Sequence, residues 1–175
     1  MNAAQRDARL RMSVEELCEV LGRIEQLHDR LLETLVAKEN ALTQVRLDEL
    51  AELKPVEEEL IRGLIEEEKE RLLVTEEVGD LLDHEAPSRI RLSEMLPHLP
   101  GDLSERLAER RESLREVALC LSRQNAVNRA LIEHSIGHVH VFLSKVVHEQ
   151  MGGQYDQRGA SAGDGRGSLF MDRRI

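Results

Sequence analysis

The chain has 175 residues, a formal net charge of −10, 33% charged residues and only 2% aromatic residues. So acidic a surface excludes nucleic acid as the main partner, because phosphate binding requires a basic face that releases counterions. There is no apolar run of about 20 residues to span a bilayer and no apolar core of a signal peptide in the opening MNAAQRDARLRM, so membrane insertion is not expected and the protein reads as cytoplasmic.

Leu dominates the apolar residues, and Tyr155, Phe142 and Phe170 are the whole aromatic set. This is the balance of long helices and coiled coils, since a compact core normally leans on several aromatics. The first predicted helix covers about residues 12–45. Leu10, Val14, Leu17, Leu21, Ile24, His28, Leu31, Leu35, Lys38, Leu42 and Val45 recur at alternating spacings of three and four, and nine of the eleven are apolar. That is a heptad seam. Ser13 with Glu16 has the spacing of a capping box that would open the regular helix. His28 and Lys38 interrupt the seam and read as register or edge positions.

Asp48 is the predicted N-cap of a second helix over about residues 48–84. Pro55 either kinks this helix or is its first residue, and both readings put a bend between Val45 and Pro55. Residues 55–85 hold twelve acidic and three basic side chains, a net of −9. The apolar pairs around Leu60, Leu64, Leu72 and Leu81 make a stripe broad enough to touch two neighbours.

Three of the four prolines fall in residues 86–101, APSRIRLSEMLPHLPG, which predicts a linker with one helical turn near residues 93–96. Its Ile90, Leu92, Met95, Leu96 and Leu99 are expected to lie against the bundle. A third helix follows over about residues 102–150, with a seam of Leu103, Leu107, Leu114, Val117, Leu121 and Leu131 that rotates into Ile132, Ile136, Val139, Leu143 and Val146. Residues 1–151 therefore form one helical domain. Residues 152–175, rich in Gly, Ser, Asp and Arg, are expected to be a disordered tail. The fold class is all-α, an elongated antiparallel bundle of three long helices with coiled-coil-like packing.

No arrangement of residues supports catalysis, and neither enzyme activity nor a cofactor is expected. The EEE runs at 57–59 and 66–68 read as solvated helix faces. His134 and His138 share a helix face but lack a third ligand at metal-binding spacing, so no metal is expected. Cys18 and Cys120 both fall in helical apolar patterns and read as buried free thiols. Two features are not explained by packing alone: the amides Gln124, Asn125 and Asn128 on the third helix, and the lone Tyr155 in the tail. A buried amide can fix helix register, and an aromatic in a flexible segment can anchor a partner.

The stretches LLETLVAKENAL and DELAEL, then NRALIEHSI from residue 128 and QYDQRG from residue 154, resemble the FlgN-type flagellar export chaperones over roughly residues 13–159. The resemblance implies a cytoplasmic type III secretion chaperone. It would bind hook-associated proteins of the hook–filament junction, prevent their premature self-association and deliver them to the flagellar export gate. It implies that the third helix and the following segment receive the client, here at Asn125, Asn128, Leu131, Ile132, Ile136, Val139 and Leu143, and that Tyr155 contacts the gate. A homodimer is left open, as is the alternative of a coiled-coil scaffold without client hand-off.

Overall fold

The structure, a computed structural model, describes residues 2–152. Helix α1 spans Ala3–Thr43, α2 Leu47–Leu81 and α4 Gly101–Gly152, with the single turn α3 at Leu92–Met95 and 3₁₀ turns at Pro87–Arg89 and Leu96–His98. No strand occurs among the described residues. The chain divides into two units, one ending at His134 and one beginning at Ser135.

Helix α1 begins ten residues earlier than the Ser13 and Glu16 pattern suggested. Asn2 caps it instead, accepting from the Gln5 amide at 2.8 Å while the Gln5 side chain accepts from the Asn2 amide at 3.1 Å. Ser13 is buried inside the helix and its hydroxyl donates to the Arg9 carbonyl at 3.1 Å. The seam of α1 is buried at Leu10, Val14, Leu17, Leu21, Ile24, Leu31 and Leu35. Val45 does not extend it: this residue is 74% exposed and holds φ at 55°. It closes the helix, with its amide donating to the Leu42 carbonyl at 3.2 Å and the Arg46 amide to Ala41 at 2.9 Å, the paired bonds of a Schellman motif. The end of α2 repeats this device at Asp83, φ 53°, with the His84 amide donating to the Gly79 carbonyl at 3.0 Å. Arg6 adds a cap from α1, donating to the Leu81 carbonyl at 2.8 and 2.6 Å.

The bend is thus the turn at residues 43–47. Arg46 rather than Asp48 is the N-cap residue of α2, and Pro55 lies within the helix. Proline there deprives the Ala51 carbonyl of its partner, but both residues are exposed, so water can supply the missing donor. Partners across the helices set the directions. Arg9 meets Glu77, Arg23 meets Glu67 at 2.8 Å, and Lys38 meets Glu57 at 2.6 Å, so α1 and α2 are antiparallel. Arg11 meets Asp102 at 3.0 Å and Arg110 meets Glu25 at 2.8 Å, so α4 runs parallel to α1.

The core lies in two clusters. One joins the first half of α1 to Val74, Val78, the linker residues Ile90, Met95 and Leu99, and Leu103 and Leu107 of α4; Leu92 and Leu96 pack against it. The second joins Leu31 and Leu35 to Leu60 and Leu121. The linker therefore packs on the bundle, as its apolar residues demand, with its helical turn at residues 92–95. The broad stripe of α2 is only half used: Ile61, Ile65, Leu72 and Leu73 are exposed. Cys18 is buried, which pushes its thiol above the ordinary value, whereas Cys120 is exposed, contrary to expectation.

Two backbone positions yield a stability test. A β-branched residue in the left-handed region costs about 1–2 kcal/mol, so Val45→Gly is expected to raise the free energy of unfolding by about 1 kcal/mol. Gly79 faces Pro87, whose Cα would stand 2.8 Å from an added Cβ. Gly79→Ala is expected to destabilise by about 1–3 kcal/mol, the cost of overpacking. Urea titrations of both variants check the opposite signs.

Candidate functional site

Helix α4 is held to α1 by a row of polar contacts along the first unit. The Glu25 carboxylate accepts from Arg110 at 2.8 Å and from the Ser113 hydroxyl. Gln124 Nε2 donates to Glu39 at 2.5 Å, and Asn128 Nδ2 donates to the Leu35 carbonyl at 2.8 Å. Asn128 is 3% exposed, and its Oδ1 is buried without a hydrogen-bond partner. This amide therefore spends one hydrogen bond on fixing how far α4 is shifted along α1. Asn125, three residues before it, is exposed.

The exposures of the apolar residues of α4 differ between the two units. In the first unit Leu103, Leu107, Val117 and Leu121 are buried, Leu131 is half-buried and Ile132 is 36% exposed. In the second unit Ile136, Val139 and Leu143 are 64%, 58% and 55% exposed. Residues 132, 136, 139 and 143 keep the four-three-four spacing of a heptad seam, which normally faces another helix. An exposed apolar row of this kind is a candidate protein-binding surface.

The structure brings the predicted site residues together only in part. Ile136, Val139 and Leu143 are exposed on the second unit, and Ile132 is exposed near the end of the first. Asn128 belongs to the bundle instead, reachable by a partner only if α4 shifts from α1. Tyr155 lies outside the described residues. His134 and His138 are exposed, and among the described residues no group of three or more His, Cys, Asp or Glu side chains could hold a metal ion. Sequence reasoning missed the Arg6 cap and the Gly79–Pro87 contact, since neither a lone Arg nor a lone Gly in a helix signals a partner some 75 or 8 positions away.

His28 on α1 is half-buried, with its Nδ1 buried and unpartnered. Desolvation pushes its imidazole below the ordinary value of 6.5, while Asp29 and Glu68 pull the other way.

The described residues form helices and turns without a strand, leave Ile136, Val139 and Leu143 exposed, and include no helix long and apolar enough to cross a membrane. The profile of the family described as FlgN protein matches residues 12–163. The chain belongs to the FlgN family, and its broad role is that of a flagellar export chaperone. Comparisons with curated proteins and with solved structures give no match.

Two variants test the roles assigned above. Asn128→Leu removes a buried oxygen that lacks a partner, and the Leu35 carbonyl keeps its bond within α1. Unfolding midpoints in urea should hold steady or rise by up to about 1 kcal/mol; a loss larger than that would make the amide a net stabiliser. For His28, a folded value below the unfolded one means that the unfolded chain binds the proton first. Its stability contribution is complete above about pH 6.5 and is lost as pH falls through the lower folded value. His28→Gln is expected to flatten that decline in denaturant titrations.

Proposed function

We propose that the open seam of α4 binds the terminal helical segments of hook-associated proteins, prevents their self-association before secretion and passes them to the flagellar export gate. The reading rests on one observation: Ile136, Val139 and Leu143 keep heptad spacing and stay more than half exposed. A client segment laid along this face as a helix would cover it. Burial releases about 25 cal/mol per Å² of apolar surface, partly offset by the ordering of the client.

Ile132 and Leu131 begin the contact. Asn125, exposed at its edge, offers an amide that can fix the client's register. Asn128 contributes from behind by fixing the register of α4 on α1 within the first unit. Tyr155, outside the described residues, is assigned the gate contact, which separates capture from delivery along the chain. This work is done in the cytoplasm, before secretion. No catalytic step and no cofactor enter the mechanism.

Ile136→Asp combined with Val139→Asp is expected to weaken binding to an unpolymerised hook-associated protein by more than tenfold, read by calorimetry, with the helical circular dichroism signal unchanged. Tyr155→Ala should leave that affinity intact and abolish export of the client. A doubly substituted chain that binds as before would remove the seam from the mechanism. A Tyr155→Ala chain that exports normally would leave a scaffold without hand-off as the better reading.

A further inference from the structure

The half of α2 that the bundle leaves uncovered forms a second apolar surface. Ile61, Ile65 and Leu72, 43%, 52% and 47% exposed, line a groove of about 490 Å³ with Ile24, His28 and Leu64. Ile24 is buried at its floor and Leu64 packs against the second core cluster, whereas Ile61, Ile65 and Leu72 belong to neither cluster. His28 Nδ1, buried in the lining, has no hydrogen-bond partner. The charged residues of the lining are already engaged, Glu68 with Arg71 at 2.7 Å and Lys69 with Glu66 at 2.8 Å.

The charge of α2 narrows what can cover this groove. Residues 55–85 carry a net of −9, so two α2 faces laid together would bring like charges into contact, which costs several kcal/mol at an interface. The occupant must be apolar at its centre and positive at its ends. The chain contains such a segment. Residues 166–175, RGSLFMDRRI, place Leu169, Phe170 and Met171 in a row between Arg166 and the pair Arg173 and Arg174, with Asp172 as the one acid. They lie beyond the residues that match the family and outside the described residues.

We propose that this C-terminal segment of a second copy docks in the groove, residues 169–171 on its apolar lining and Arg173 and Arg174 toward the acid of α2. Two copies exchanging their segments make a closed pair in which each groove and each apolar row is covered. Exchange places no demand on the length of the connecting residues 153–168. A backbone amide of the incoming segment can donate to His28 Nδ1 in its neutral, acceptor form. The pair stands independently of the client reading, because it uses α2 and leaves residues 136–143 of α4 free.

Sedimentation of the full-length chain over a range of concentrations tests the pairing. A reversible dimer is expected, weakened by high salt. Ile65→Asp and Phe170→Asp should each weaken it more than tenfold with the helical signal unchanged, since Ile65 is exposed in the single chain. Mixing the two variants should restore a pair, since one supplies an intact groove and the other an intact segment. A chain that stays monomeric at every concentration would overturn the proposal. So would a dimer indifferent to Phe170→Asp, or a photo-crosslinker at position 170 that reacts with α2 only within its own chain.

Discussion

The first unit depends on the register of two parallel helices, α1 and the part of α4 that lies in that unit. Side chains fix it: Arg11 on Asp102, Glu25 on Arg110 and Ser113, Glu39 on Gln124, and Leu35 on Asn128. A slip of one helical turn, about 5.4 Å, would break all of these contacts. In the second unit Ile136, Val139 and Leu143 keep the spacing of a helical seam and are more than half exposed.

This arrangement separates two tasks that would conflict within one surface. A seam buried in a stable bundle cannot exchange partners, and a seam exposed along its whole length would aggregate. In the first unit, the α1–α2 pair, the linker and the first turns of α4 carry the stability. Its ends are closed by devices that need no client: the Asn2 cap, two Schellman turns and the Arg6 cap on α2. Ile136, Val139 and Leu143 belong to the second unit and are exposed, which under the proposed reading leaves them for binding. The acid of α2 repels the same helix of another copy, so two α2 faces are kept from pairing with each other.

Much of this was legible in the sequence. The period of three and four residues gave the helices and most of the buried seam, and the prolines gave the linker, because both follow from backbone geometry. Helix ends were less legible. Ser13 and Glu16 have capping-box spacing, but the apolar residues around them let α1 run on to Asn2, and tertiary burial outweighs a local cap. Val45 fits the heptad by number, yet it is the turn residue, since the chain must reverse there and no glycine is at hand. Cys120 and the outer stripe of α2 were expected to be covered because periodicity reports which residues share a face, not whether anything lies against it. The same limit applied to the amides. Sequence singled out Asn125 and Asn128 equally, and only the register of α4 on α1 separates the buried one from the exposed one.

Hydrogen–deuterium exchange along α4, in the free full-length chain and after addition of an unpolymerised hook-associated protein, tests the account most directly. The account predicts that residues 136–146 exchange far faster than residues 103–121 in the free chain, and slow markedly when the client is added. Equal protection of both stretches in the free chain, or exchange that the client leaves unchanged, would contradict it.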